Sequence, residues 1–276
     1  MAIDLSKFKK KVEKKLPILF LVEEDDKSNI SADLVKYILN ACLERNIHTE
    51  FMLFSYGLEW TLKFPKPNNK VPHYANLEGV KLDDAWHIIA NITASKQTFL
   101  GSALEVSKAI LDDPDTTKPG RYKPVVIIIA SKIPAQGWED YFVDLLNNGR
   151  SSNAQVYWLN KNRNTDDAFR KAFEAFLPLG PFSHVAVDAL LKNTGFDSKC
   201  KAAREKRTNN FKKRFEKVIF KNIGSRLVSN YAQELVSSFK LEPLEEGPVE
   251  DSVEFAVPGF DGSFGDGTDA KGDGMV

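Results

Sequence analysis

Cysteine is nearly missing from this sequence: Cys42 and Cys200 are the only two among 276 residues. Two thiols cannot build a disulfide framework or a cysteine-rich zinc site, and such sparse usage fits a reducing compartment. Histidine is hardly commoner. His48, His73, His87 and His184 are scattered without His-x-x-x-His spacing, and each reads as an ordinary structural histidine. The chain also lacks a Gly-x-Ser-x-Gly elbow, a phosphate loop ending in Gly-Lys-Ser/Thr and a Gly-x-Gly-x-x-Gly fingerprint. Cys200 has basic neighbours but no histidine close in sequence, so it reads as a bystander thiol. Together these absences predict a protein that is not an enzyme.

Long apolar runs are absent too. Leu16 to Val22 is too short to span a bilayer and ends in the acidic block Glu23, Glu24, Asp25, Asp26. It also lacks the length and cleavage site of a signal peptide, so the expectation is a cytoplasmic chain that does not meet a membrane. What is present is ordinary for a globular protein: 42% hydrophobic and 28% charged residues, with 38 basic side chains against 38 acidic ones. The length allows one large α/β domain with an appendage.

The zero net charge hides two opposed segments. Lys199, Lys201, Arg204, Lys206, Arg207, Lys212, Lys213, Arg214, Lys217, Lys221 and Arg226 face only three acids within the same stretch, a net charge of about +8. Beyond Leu241 ten acids accompany the single Lys271, about −9. The basic stretch predicts a solvated helical face, a dock for the acidic tail of the same chain, or a surface for an acidic partner or nucleic acid. Phe211, Phe215 and Phe220 in it have the spacing of a buried helical stripe rather than of base-stacking aromatics.

Patterning predicts the elements. Leu16 to Val22 and Pro124 to Ala130 are continuous apolar runs, the mark of strands buried on both faces of a parallel sheet. Ser31 is placed to cap a helix carrying Leu34, Val35, Ile38, Leu39, Cys42 and Leu43. His48 to Phe54 and Glu59 to Phe64 read as an antiparallel pair, and the proline-rich stretch 65–72 as an exposed loop. Helices are expected over 82–92, 99–111 and 136–147, a strand over 154–159, and a helix over 166–176 capped by Thr165. Residues 202–220 and 222–239 read as two more helices.

The resulting class is α/β: a doubly wound, mainly parallel, Rossmann-like sheet with one antiparallel edge strand and a C-terminal helical extension. The division is a basic segment 1–15, an α/β domain 16–180, a basic helical extension 181–240 and an acidic, glycine-rich tail 241–276 without core-forming positions. In such sheets ligands bind beyond the carboxyl ends of the strands, which singles out the loops after Val22, before Phe99 and after Ala130.

Three segments carry a resemblance: Leu-Pro-Ile-Leu-Phe-Leu-Val before the acidic turn, Thr98-Phe-Leu-Gly-Ser-Ala-Leu104, and Lys123 to Pro134 followed by Trp138-Glu139. They resemble a von Willebrand factor A domain, most closely the bacterial branch found in tellurium-resistance clusters. In that branch the first strand ends in Asp-x-Ser-x-Ser, the second segment reads Thr-x-Leu-Gly-x-Ala-Leu, and the third contains Thr-Asp-Gly-x-Pro. The resemblance implies a metal-ion-dependent adhesion site, in which hydroxyls and a threonine hold a divalent cation that captures a partner's carboxylate, without catalysis.

Carried onto this chain, the pattern is degenerate. Glu23 stands for the first Asp, Asp25 and Lys27 for the serines, Thr98 is retained, and Ser131 replaces the second Asp. A slip of one residue selects Glu24, Asp26 and Ser28 instead. An ammonium at Lys27 opposes a divalent ion, so the expectation is no metal, with Lys27 supplying the positive charge internally or the loop meeting its partner without metal; Mg²⁺ or Ca²⁺ on the acidic turn is the alternative. The implied role is an adaptor or scaffold in a bacterial stress, tellurium-resistance or phage-defence cluster beside a phosphatase and a kinase. Its contact residues would be Glu23, Glu24, Asp25, Asp26, Lys27, Thr98 and Ser131, with Trp138 at the border. Trp158, inside a strand, reads as core.

Overall fold

The computed structural model describes residues 14–66, 73–114, 120–131, 138–161, 218–223 and 226–244. The helix expected after Thr165, Cys200, the basic residues Lys199, Lys201, Arg204, Lys206, Arg207, Lys212, Lys213, Arg214 and Lys217, and the tail beyond Leu244 lie outside the described residues.

The two continuous apolar runs occupy the middle of the sheet. β1 (Leu16–Glu23) and β5 (Val125–Ala130) are buried at every position and pair in parallel. Apolar side chains on both faces leave no side to give to water, so helices must cover each face. On one face Ile18, Phe20, Val22, Ile127 and Ile129 meet α1 (Ser28–Glu44), α2 (Leu82–Ala90) and α5 (Val228–Ser237). On the other, Leu19, Leu21, Val126 and Ile128 meet α3 (Leu100–Asp112) and α4 (Glu139–Asn147). The strand period of two thus sorts one chain into two cores.

β2 (Thr49–Tyr56), β3 (Trp60–Phe64), β4 (Ala75–Asn76), β6 (Gln155–Asn160) and β7 (Ile219–Asn222) complete a seven-stranded sheet among the described residues, with the path β3-β2-β1-β5-β6-β7. Pairing is parallel from β2 through β7. β3 is the expected antiparallel edge strand, and off the sheet path the short β4 also pairs antiparallel with β2. β4 is only two residues long, too short to leave a periodic signal.

Within the expected helical extension, the second helix is present as α5, residues 202–217 lie outside the described residues, and one short stretch is corrected. Residues 219–222 are a strand in register with Tyr157 to Asn160, and α5 buries Tyr231, Ala232, Leu235 and Val236 against the core shared with α1. Ile219-Phe220 reads as well on a strand as on a helix, and four residues are too few for the period to decide. The start of the tail is likewise structured. Lys123 N donates to Glu242 O at 2.8 Å and Leu244 N to Arg121 O at 3.0 Å, while the side chain of Gln155 bonds both the N–H and the carbonyl of Lys240.

Two smaller expectations change. α1 begins at Ser28, and Ser31 is buried inside it rather than capping it. Trp138 is fully buried, edge-on to Phe142 and Trp158, with ring centroids 5.6 and 5.9 Å away. It fills the α4 side of the core instead of lying open at the surface as expected; its place beside the third motif in sequence carries no information about which way the indole turns.

Candidate functional site

Because β1, β5 and β6 run parallel, their carboxyl ends meet at one edge of the sheet. Residues Glu23, Ser131 and Lys161, distant in sequence, are neighbours there. Glu23 ends β1 with its side chain buried. Its Oε2 accepts the backbone N–H of Ser131 at 2.6 Å, and its Oε1 accepts the Thr98 hydroxyl at a weak 3.4 Å. Three of the loops singled out by the sequence therefore converge on one carboxylate.

Asp25 turns inward beside it. Its Oδ1 accepts the backbone N–H of Lys27 at 3.0 Å and the ammonium of Lys161 at 2.7 Å. The Lys161 side chain is completely buried and also donates to Ser31 Oγ at 3.0 Å. Its backbone N–H is bonded to Ala130 O, which locks the residue to the end of β5.

Glu24 points elsewhere. Ser55 Oγ donates to its Oε1 at 2.6 Å, and its backbone joins Tyr56 O and Ser95 N. Phe99 N then bonds Gly57 O, so the segment 95–99 that carries Thr98 is stitched to the turn after β2. Gly57 is required by this closeness: a Cβ there would sit 2.2 Å from Glu24 Oε2 and 2.8 Å from Ser95 Cβ. Asp26 is exposed, Lys27 half-buried, and Ser28 Oγ donates to Ala90 O. The inward pair is thus Glu23 and Asp25; Glu24, Asp26 and Ser28, the slipped alternative, face different surroundings.

Burial drives the two partners toward neutrality with different results. For Asp25 burial favours the acid, but the Lys161 ammonium and the Lys27 N–H outweigh it and hold the carboxyl below its ordinary 3.8. For Lys161 burial is the larger effect, and the attraction of Asp25 and Glu23 restores only part of it, so the ammonium lies below the ordinary lysine value. Tyr56 closes the floor: burial first, then Glu23 and Asp25, push its phenol far up, and it stays neutral. Among the described residues no group of three or more His, Cys, Asp or Glu side chains is placed to hold a metal ion.

Sequence reasoning named Glu23, Asp25, Lys27, Thr98 and Ser131, and the fold brings these five loop positions together. It missed Lys161. The available signal was its place, a lysine immediately after an apolar strand whose carboxyl end lies beside that of β5.

No family model and no curated protein matches the sequence. Solved structures give distant likenesses. A von Willebrand factor type A protein from Catenulispora acidiphila matches at 10% identity and a TM-score of 0.49, covering 81% of this chain and 42% of that one. Proximal thread matrix protein 1 from the mussel byssus matches at 12% identity and 0.46, over 81% and 48%. The pilus adhesin SpaC of Lactobacillus rhamnosus GG matches at 9% identity and 0.49, over 81% and 30%. This chain therefore spans less than half the length of those proteins. Likeness at this level does not assign the chain to a family.

Proposed function

We propose that this chain is a non-enzymatic protein-interaction module of von Willebrand factor A type, with a degenerate adhesion site, which acts as an adaptor through the loops at the carboxyl ends of β1, β2, β5 and β6. The observation that carries the reading is the convergence of Glu23, Asp25, Thr98 and Ser131, the positions matched by the sequence motifs, at one edge of a parallel sheet. The resemblance to the tellurium-resistance branch supports reading the adaptor as a bacterial, cytoplasmic component of a stress, tellurium-resistance or phage-defence cluster that includes a phosphatase and a kinase. Among the described residues no helix is long and apolar enough to cross a membrane.

The donor set does not fit the divalent cation that such a domain ordinarily holds. Mg²⁺ requires near-octahedral oxygen ligands. Here the oxygens of Glu23 accept protein N–H and O–H groups, one oxygen of Asp25 accepts an ammonium, and a lysine stands where a hydroxyl ligand belongs. A divalent ion beside a buried ammonium would be repelled by several kcal/mol at these distances.

Affinity capture from the native host, with the intact chain and with an Asp26→Lys/Lys27→Glu variant, tests the adaptor reading. Asp26 is exposed and Lys27 half-buried, and the melting temperature of the variant checks that it is folded before capture. Loss of the same partner from the variant is expected; an unchanged set of partners refutes the proposed face.

A further inference from the structure

The cluster at the end of β1 contains more negative charge than a buried site tolerates alone. Glu23 and Asp25 are 1% and 4% exposed, and Asp25 Oδ2 has no well-formed hydrogen bond among the described residues. Isolated buried carboxylates are strongly destabilising unless paired. The only full positive charge with its head buried against them, among the described residues, is Lys161, whose ammonium reaches Asp25 Oδ1 at 2.7 Å and Ser31 Oγ at 3.0 Å. Its backbone fixes it to Ala130, next to Ser131, which donates to Glu23. One ammonium thereby ties the loop after β1 and the start of α1 to the ends of β5 and β6.

We propose that the Lys161 ammonium is the permanent, chain-supplied cation of this site, doing the loop-fixing work of a divalent metal ion. This rests on reading the loop cluster as the contact face. Two consequences separate it from a metal. A tethered ammonium is not lost to chelators, so the face is assembled at any metal concentration. A fully buried ammonium also presents no open position to solvent, so the partner does not bind by directing an acidic side chain at a cation.

The full-length chain tests this. Mn²⁺ titration followed by electron paramagnetic resonance should show no stoichiometric binding to the wild type, and its melting temperature should be the same in EDTA and in millimolar Mg²⁺. Lys161→Ala should melt about 10 °C lower in EDTA and recover several degrees in millimolar Mn²⁺, which can enter the vacated volume between the carboxylates. Lys161→Met/Asp25→Asn, with both charges removed, should melt within a few degrees of the wild type and ignore Mn²⁺. If Lys161→Ala does not fold, the wild type and the double variant still decide.

Stoichiometric Mn²⁺ binding by the wild type that Asp25→Asn abolishes would overturn the proposal, as would a Lys161→Ala chain as stable in EDTA as the wild type. A double variant as unstable as the single one would do the same. Partner capture separates this inference from the adaptor reading: capture unchanged by EDTA is expected. Capture that needs Mg²⁺ overturns the internal cation and leaves the adaptor standing.

Discussion

Lys161 Nζ lies 2.7 Å from Asp25 Oδ1 across a sequence separation of 136 residues, with both side chains out of contact with water. A pair this buried behaves asymmetrically. Replacing both partners by apolar groups is often tolerated, whereas removing one leaves an unpaired charge.

The first prediction follows from that asymmetry. Asp25→Asn keeps the shape of the side chain and strands the ammonium, so it should lower unfolding stability by about 3–5 kcal/mol. Urea denaturation measures this directly. A loss within the error of extrapolation would show that the pair is solvated.

Acid should remove the same contribution. The carboxyl of Asp25 is depressed in the native state, so its stabilisation is complete above its ordinary 3.8 and is lost as pH falls through the lower native value. Melting temperatures of wild type and Asp25→Asn, compared from neutral pH downward, should converge below that point. A gap that stays constant would mean that Asp25 is not the titrating group.

Gly57→Ala should cost about 1–3 kcal/mol through overpacking. The added methyl meets Glu24 Oε2, which cannot simply swing away because Ser55 holds the same carboxylate at 2.6 Å. Hydrogen exchange at the Ser95 and Phe99 amides, which bond Glu24 O and Gly57 O, should accelerate in the variant.

Trp138 serves as a control for the contact face. Trp138→Ala should destabilise by about 3–5 kcal/mol by leaving a cavity beside Phe142 and Trp158. Trp138→Phe, folded and only mildly destabilised, should capture the same partners as the wild type; loss of capture would place the indole at the interface.

The C-terminal boundary of the fold can be cut to measure. A chain ending at Leu244 should be about 1–3 kcal/mol more stable than one ending at Leu241, because residues 242–244 supply two backbone hydrogen bonds to 121–123. Thermal melts of the two truncations decide it.

Local pattern by itself determined a good deal. Short apolar runs without polar interruption at 16–22 and 125–130, the second rich in β-branched Val and Ile, read as strands covered on both faces, and helical spacing at 34–43 and 100–111 supplies the covers. From those alone came the α/β class, the parallel centre and the loops after Val22, before Phe99 and after Ala130; Glu23, Thr98 and Ser131 themselves were implied by the family resemblance. Where the signal was short it failed: two residues of β4 and four of β7 carry no period, and the turn of the Trp138 indole into the core depends on Phe142 and Trp158 arriving from α4 and β6. The identity of the cation also belongs to the tertiary structure. Sequence could count the carboxylates of the acidic turn and nominate the nearest lysine, Lys27. It took the parallel alignment of β6 beside β5 to bring in Lys161 from two strands away, because a buried charge is balanced by whichever group the fold places within hydrogen-bond reach, however distant along the chain.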